Sequence, residues 1–286
     1  MTRLPITKTP KPYVGGAFIR SESGRTFPVN DSRGGFFANI PQCTRKDLRN
    51  AVEAAAKAGP GWARRTAYNR GQILYRIAEM LEARRHEMVD TLVRFGGPRV
   101  GAARSVDAAV DRLIYYAGWA DKYEQVLGNV NPVAAPYFNF TVTEPMGVIG
   151  MIAPDLPPLL PLISLIAPAI VSGNTVVALA SEKVPYPAIL LGEMLATSDL
   201  PGGVVNVLTG FRKEMIPTFA THTHLRAIVA VVDADDRKTL ATGAAESVKR
   251  THFADVSTDW LADSAQNVYA IRQTLEFKTT WHPIGA

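Results

Sequence analysis

The chain has 286 residues, of which 47% are hydrophobic and 20% charged, a composition that excludes a disordered or fibrous protein. Its formal net charge of +5 comes from 31 basic and 26 acidic residues without a block of five or more like charges, so no nucleic-acid partner is expected. The apolar stretch 156–171 is interrupted by prolines and is shorter than the roughly 20 residues that span a bilayer. It predicts a buried helix and no membrane partner.

Two further features of composition concern the cellular compartment. The first residues, Met1-Thr2-Arg3-Leu4-Pro5, lack the apolar core of a secretory signal, so a cytoplasmic location is expected. Cys43 is the single cysteine, which rules out an internal disulfide and suits a reducing compartment.

The first 125 residues read as strands followed by helices. Residues 12–41 alternate aromatic and polar positions between turn-forming residues and predict short strands. Thr44 and Asp47 have the spacing of a capping box, and the helix after them is expected to end before Gly59-Pro60. Apolar residues at helical spacing predict two more helices, at 66–86 and 101–125.

A repeated strand–helix pattern begins after residue 138. Four continuous apolar runs, typical of parallel strands buried on both faces, lie at 148–152, 175–179, 204–208 and 227–232. Segments of helical length separate them, at 158–172, 186–197 and 213–220. The pattern predicts an α/β fold with a doubly wound, Rossmann-like parallel sheet.

Flanking segments complete the predicted architecture. Residues 138–143 alternate like an exposed hairpin strand, and 277–283 read as a terminal strand. One helix is expected over 257–273.

Several short strings carry a resemblance, and they occur in one order and spacing. They are Pro60-Gly61-Trp62-Ala63, Tyr115-Tyr116-Ala117-Gly118-Trp119-Ala120, Glu144-Pro145-Met146-Gly147, Gly173-Asn174-Thr175 and Leu200-Pro201-Gly202-Gly203. Together they resemble the aldehyde dehydrogenase superfamily over residues 12 to about 232, and Lys278-Thr279-Thr280-Trp281 resembles its C-terminal strand.

The resemblance implies a truncated, degenerate member, similar to the degenerate second domain of two-domain aldehyde dehydrogenases. About 20 residues separate the nucleotide domain from the terminal strand, too few for the catalytic domain that family members carry there. The implied division is 1–137, N-terminal strands and helices; 138–146, an oligomerisation hairpin strand; 147–253, a Rossmann-like nucleotide domain; 254–274, a remnant linker helix; and 275–286, a C-terminal oligomerisation strand.

The family's catalytic groups are a cysteine thiolate, an oxyanion-hole asparagine and a glutamate base. Cys43 does not lie in a nucleophile loop of the family kind and is interpreted as a turn or surface residue. Leu156 stands where the family has the asparagine, and a leucine donates no hydrogen bond to an oxyanion. The general-base region is absent, so no catalytic residue is predicted.

The cofactor site that the resemblance implies is incomplete. Glu182 is retained, but Leu179 replaces the lysine of the family's ribose-binding pattern. Val232 replaces a glycine before the pyrophosphate-binding helix, where Asp233, Asp235 and Asp236 would oppose an anion. The vestigial cofactor-binding residues are Ile152, Pro154, Glu182 and Gly210. No NAD(P) binding, or weak binding, is expected.

His222 and His224 have the i, i+2 spacing of a metal-binding pair on a strand. No third ligand lies nearby in the sequence, so they are interpreted as solvated turn residues, and no metal is expected.

The favoured function is therefore an inactive subunit that acts in assembly or as a scaffold, as a homo-oligomer, with a full-length aldehyde dehydrogenase, or both. The predicted interface residues are Phe138, Phe140, Val142, Phe277, Thr279 and Trp281. An exposed strand that adds to another subunit's sheet would supply the contact. Two alternatives remain: an NAD(P)-dependent oxidoreductase with a rebuilt or partner-supplied site, and a nucleotide or small-ligand sensor.

Overall fold

A computed structural model describes residues 8–285 and contains a seven-stranded central sheet. Residues 1–7, on which the expected lack of a secretory signal rests, lie outside the described range. The strands, in chain order, are β1 (Tyr13–Val14), β2 (Ala17–Phe18), β7 (Val148–Ile152), β8 (Thr175–Leu179), β9 (Val205–Leu208), β10 (Leu225–Val231) and β11 (Arg250–Ala254). Their spatial order is β11-β10-β7-β8-β9-β1-β2. The five strands from β7 to β11 are parallel, which confirms the predicted fold class.

Helices cover both faces of this sheet because its central strands are apolar on both sides. The crossover helices are α6 (Leu160–Val171), α7 (Tyr186–Leu195), α8 (Arg212–Thr221) and α9 (Ala234–Ala245). Buried residues of α6 and α7 form one core with the sheet, and those of α8 and α9 form a second. The strand–helix alternation therefore builds the doubly wound, three-layer arrangement that the sequence pattern predicts.

The helices that precede the parallel strands complete both layers. They are α1 (Arg45–Ala63), α2 (Ala67–Ala83), α3 (Arg85–Arg94), α4 (Arg99–Trp119) and α5 (Tyr123–Leu127). The Asp47 carboxylate accepts hydrogen bonds from the N–H and the hydroxyl of Thr44 at the start of α1. The prediction that α1 ends before Gly59-Pro60 is wrong, because the helix continues to Ala63. Buried Trp62 donates a 2.9 Å hydrogen bond to the carbonyl of Ile170, so tertiary packing outweighs the proline.

Two smaller sheets flank the core. One is the hairpin of β3 (Thr26–Asn30) and β4 (Phe36–Pro41). The other, which we call the outer sheet, consists of β5 (Asn129–Asn131), β6 (Tyr137–Pro145) and β12 (Leu275–Pro283), in the order β12-β6-β5. The outer sheet is antiparallel, and β12 pairs with β6 over its full length.

The single helix predicted over 257–273, and with it a remnant linker helix over 254–274, is wrong. The first residue of this segment, Ala254, is the last residue of β11. The helical structure in the rest of the segment is a 3₁₀ turn (Asp263–Ala265) and the one-turn helix α10 (Val268–Arg272). The Asp255 carboxylate accepts hydrogen bonds from the N–H and hydroxyl of Ser257. Such local side-chain bonds compete with helix formation and explain why the helical pattern is interrupted.

None of the helices within residues 8–285 combines the length and the apolar composition needed to cross a bilayer. The apolar stretch 156–171, predicted as a buried helix, forms α6 over residues 160–171, all of which are buried. The prediction is wrong for residues 156–159, which precede the helix and begin with exposed Leu156.

Candidate functional site

The four predicted cofactor-binding residues lie at one edge of the central sheet. Ile152 ends β7, Pro154 follows it, Glu182 follows β8 and Gly210 follows β9. Parallel strands bring their carboxyl ends to a common edge, which is where α/β sheets bind ligands. Ile152 and Pro154 are buried, so of these residues Glu182 offers the one ionisable side chain at this edge.

The Glu182 carboxylate binds the start of a helix. Its Oε2 accepts a 2.8 Å hydrogen bond from the backbone N–H of Arg212, the first residue of α8. A negative charge at this position satisfies a free N–H group and interacts favourably with the helix dipole, by about 0.3–1 kcal/mol. One oxygen of this carboxylate is thereby engaged within the chain.

The Arg212 guanidinium extends across the ends of the neighbouring strands. Its Nη2 donates to the carbonyl of Ala153 at 2.6 Å and lies 3.3 Å from the Asp155 carboxylate. Asp155 in turn accepts a 3.0 Å hydrogen bond from the N–H of Glu182. These contacts link the loops after β7, β8 and β9 into one network that occupies the strand-end edge.

Carboxylates crowd the beginning of α9. Asp233 Oδ1 accepts a 2.9 Å hydrogen bond from the N–H of Asp236, so the helix carries its own negatively charged cap. Burial and the nearby Asp233 carboxylate raise the pKa of Asp236 above its usual range. An added pyrophosphate would meet like charges here, and buried Val232 does not provide the close backbone approach of a glycine. These residues do not fit a dinucleotide phosphate.

Packing explains the glycine at position 210. Its φ is +149°, and a Cβ there would lie 2.9 Å from the backbone oxygen of Cys43. The approach of β9 to the connection between β4 and α1 therefore requires a glycine without any ligand.

Cys43 is fully buried, so its interpretation as a surface residue is wrong. Its N–H donates to the carbonyl of Thr209 at 2.9 Å, which ties it to the end of β9. Burial raises the pKa of the Cys43 thiol to about 12. A thiolate nucleophile needs a lowered pKa and access to substrate, and Cys43 has neither.

An apolar cavity of about 400 Å³ lies beside the loop that follows β7. It is lined by that loop, by the α3–α4 connection and by one turn of α4. Leu156, which is 61% exposed, borders it together with Pro157 and Pro158. Ser105 on α4 also lines the cavity, and its buried hydroxyl has no hydrogen-bond partner among the described residues. The cavity walls therefore suit a mostly apolar ligand.

His222 and His224 lie in the turn between α8 and β10, with ring centroids 6.0 Å apart. His224 is exposed and His222 half-buried. Among residues 8–285 no group of three or more metal-binding side chains surrounds them or any other point.

The six predicted interface residues divide between the two faces of the outer sheet. Residues opposite each other in an antiparallel pair share a face, and successive residues alternate. We call the face that carries Phe138, Phe140 and Val142 the front. Thr279 lies opposite Thr141, and Trp281 lies opposite Asn139, so these residues are on the other face. We call that face, which carries Phe277, Thr279 and Trp281, the back. On the front, the Phe138 and Phe140 rings are 5.4 Å apart, and on the back Thr141 Oγ1 and Thr279 Oγ1 are 2.9 Å apart. The six residues therefore do not form one surface.

The sequence pattern did not predict three residues that are important to these sites. Asp155 lies in the loop after β7 and Arg212 at the start of α8, and a charged residue near the strand ends signals a role but not a partner. Tyr137 packs against Trp281 on the back face, with ring centroids 5.8 Å apart. That contact depends on strand register, which the separate segments do not reveal.

Comparison with known proteins identifies relatives for most of the chain. The model of the aldehyde dehydrogenase family matches residues 18–254. Retinal dehydrogenase 2 of Mus musculus is 33% identical over 276 residues, covering 90% of this chain and 53% of its own. The putative aldehyde dehydrogenase DhaS of Bacillus subtilis is 30% identical, covering 85% and 49%. The chain thus spans about half the length of the curated relatives it matches.

Solved structures give the same result for the fold. The NAD⁺ complex of aldehyde dehydrogenase from Bacillus cereus superimposes with a TM-score of 0.83 and 26% identity, covering 87% of this chain and 51% of the other. An aldehyde dehydrogenase of Burkholderia cenocepacia, described as putative, gives a TM-score of 0.82 at 27% identity, covering 86% and 50%.

Proposed function

Because this chain belongs to the aldehyde dehydrogenase family, we propose that it is a non-catalytic member that acts in assembly, as a homo-oligomer or together with a full-length aldehyde dehydrogenase. The observation that carries the proposal is the outer sheet. Its strand β12 is nine residues long, and within residues 8–285 no strand pairs with its outer edge. Long exposed edges are templates for pairing with another chain.

Exposed apolar side chains on both faces of the outer sheet support the same function. Phe138 and Val142 are exposed on the front, and Phe277 and Trp281 on the back. Large patches of exposed apolar residues are uncommon on soluble monomers and often mark interaction sites. Proteins that assemble through a sheet use backbone hydrogen bonds for affinity and alternate side chains for specificity.

The state of the cysteine supports the absence of catalysis by this chain. Cys43 is its only thiol, and it is buried with a pKa raised to about 12. The strand-end network of Glu182, Arg212 and Asp155 and the carboxylates of α9 argue further against tight NAD(P) binding.

The composition of the native complex tests the assembly. We expect two or more chains in one particle, either copies of this chain or copies together with a full-length aldehyde dehydrogenase, measured by native mass spectrometry after gentle purification. A particle with one copy of this chain and nothing else would overturn the proposal.

Activity of the purified chain tests the proposed absence of catalysis. We expect no aldehyde-dependent NADH or NADPH formation. Turnover that survives Cys43→Ser would instead support an oxidoreductase with a rebuilt site, and turnover that requires the native partner would support a partner-supplied site.

The apolar cavity favours a second candidate, a small-ligand sensor. The cavity beside Leu156 has mainly apolar walls, as many ligand pockets do. A screen of small neutral apolar compounds by thermal shift tests this role. A ligand whose stabilising effect is lost in Ala102→Trp, which fills the cavity from α4, would support it.

A further inference from the structure

The outer edge of β12 is open over a strand whose inner edge is fully paired. All nine residues from Leu275 to Pro283 have a partner in β6. Seven of the nine, from Phe277 to Pro283, are exposed. The strand is therefore ordered by β6 while its other edge is free for a second strand.

We propose that this edge pairs antiparallel with the same edge of a second copy of this chain, with Thr279 opposite Thr279 of that copy. The inference rests on the proposed assembly function and specifies its partner and register. The product is a continuous six-stranded sheet in the order β5-β6-β12-β12-β6-β5, generated by a two-fold axis perpendicular to the sheet.

The symmetry restricts the registers that are allowed. An axis perpendicular to the sheet keeps both front faces on one side, so front residues lie opposite front residues and back residues opposite back residues. The two-fold axis must then lie between the two copies of one residue, and we call the register centred on that residue. Centring on Thr279, the midpoint of Leu275–Pro283, is the choice that pairs all nine residues.

Side chains favour this same register. Phe277 lies opposite Trp281 on the back face, and this aromatic pair occurs twice because of the symmetry. On the front face Glu276, whose carboxylate lies 2.6 Å from the Arg250 guanidinium of its own chain, lies opposite His282. Aromatic pairs are among the cross-strand contacts that stabilise antiparallel sheets.

The neighbouring registers lack this complementarity. Centring on Lys278 places the two copies of that ammonium group opposite each other, and centring on Thr280 no longer places Phe277 opposite Trp281. Each also leaves two residues of the strand without a partner. Like charges directly opposite destabilise a strand pair.

Features that protect other edge strands are weak in β12. Its one lysine, Lys278, forms an ion pair with Glu144 of the same sheet, with 2.5 Å between Nζ and Oε2. Its one proline, Pro283, is the last residue of the strand. The central part of the edge, including Trp281 at 57% exposure and Phe277 at 38%, is left free of such protection.

A cysteine at position 279 tests the pairing directly. Opposite residues of an antiparallel pair have Cα atoms about 4.5–5.5 Å apart, within the range that a disulfide bridges. In the matched control Lys278→Cys the two Cα atoms would lie about 8 Å apart, from a strand spacing of about 4.8 Å and an offset of two residues, which is beyond disulfide reach. The native Cys43 is buried and does not interfere.

We expect the full chain carrying Thr279→Cys to form a reducible covalent dimer under mild oxidation, and Lys278→Cys to remain largely uncrosslinked at the same concentration. Equal crosslinking of both variants would overturn the register. No crosslinking of either, in a chain that native mass spectrometry finds in a complex, would overturn the β12 pairing and leave the assembly function standing. No crosslinking and only single chains would overturn both.

A second measurement does not depend on cysteine chemistry. Trp281→Arg places charge in the proposed contact, whereas Phe138→Arg makes the same change on the front face of β6, away from the β12 edge. We expect the dimer of Trp281→Arg to dissociate at least tenfold more readily by light scattering and that of Phe138→Arg to match the unmodified chain. The reverse pattern would place the contact on the front face and overturn the inference.

Discussion

Arg112 on α4 donates a 2.9 Å hydrogen bond to the carbonyl of Trp260, a residue 148 positions later in the chain. The same guanidinium donates to the carbonyl of Ala265 and to the hydroxyl of Ser164 on α6. Arg112 is only 3% exposed, its hydrogen bonds to the described residues go to neutral oxygens, and burial lowers its pKa. The segment after β11 is therefore held against α4 and α6 by one buried charge that neutral oxygens solvate.

We predict that Arg112→Met lowers the free energy of unfolding by about 2–4 kcal/mol, because it leaves buried carbonyl oxygens without donors. Urea unfolding followed by circular dichroism measures the change. Arg104→Met, at an exposed position of the same helix, is the control and should change stability by less than about 0.5 kcal/mol. Equal effects of the two substitutions would show that the Arg112 contacts do not stabilise the fold.

The parallel strands that the sequence predicted share one property, and the strand it missed lacks it. Val148–Ile152 and Thr175–Leu179 are buried on both faces and read as apolar runs. Arg250–Ala254 is an edge strand with half-buried Thr251 and His252, so its pattern resembles a loop. Whether a strand lies at the centre or at the edge of the sheet is a tertiary property, and it determined which strands the sequence pattern could predict.

Long-range pairing also explains what the sequence left open at the sites. Alternation within 138–143 indicated a strand, but the face that each residue occupies relative to β12 follows from a register between segments more than a hundred residues apart. Likewise Glu182 was identified from its resemblance to a ribose-binding residue, whereas its contact with the N–H of Arg212 depends on where α8 begins. Local pattern located these residues without defining their partners.

For the strand-end edge we predict that millimolar NAD⁺ or NADP⁺ does not raise the melting temperature of the purified chain. A micromolar dissociation constant would, at a thousandfold excess of ligand, stabilise the fold by about 4 kcal/mol and be plainly visible. A full-length, active aldehyde dehydrogenase in the same assay is the positive control. A clear shift for this chain would contradict the assignment of Asp233, Asp236 and Arg212 as obstacles to the cofactor.

Removing the charge of Glu182 tests its structural role. Glu182→Gln should lower the free energy of unfolding by about 0.3–1 kcal/mol, because the start of α8 loses a negatively charged acceptor. Glu246→Gln, just beyond the C-terminal end of α9, is a control at a position that caps no helix start and should have no such cost. Urea unfolding at low ionic strength compares the two, and added salt should reduce the difference.

The Cys43 thiol should be inert in the folded protein, because it is buried and its pKa is raised to about 12. With a chromogenic disulfide reagent at mildly alkaline pH, we expect labelling only as fast as the chain unfolds, and stoichiometric labelling in denaturant. Arg104→Cys, at an exposed position of α4, supplies an exposed thiol for comparison and should gain one rapidly reacting group. Fast labelling of the unmodified chain would contradict the buried position.

His252 gives the last prediction, a loss of stability in mild acid. Its Nε2 is buried on β11 without a hydrogen-bond partner among the described residues, and burial, with a smaller effect of Arg250, lowers its pKa. Below the unfolded-state value of about 6.5, the unfolded chain takes up a proton that the folded chain does not. Stability therefore falls as the pH drops below that value, until it passes the lowered pKa of the folded state.

Burial also lowers the pKa of His222, so two histidines contribute to this dependence and removing one should reduce it without abolishing it. We expect His252→Asn to show a smaller difference in unfolding free energy between neutral and mildly acidic pH than the unmodified chain, measured by urea unfolding across the range. His86→Asn, at an exposed position of α3, should retain the full difference. If both variants keep the same pH dependence as the unmodified chain, the buried imidazole on β11 is not its source.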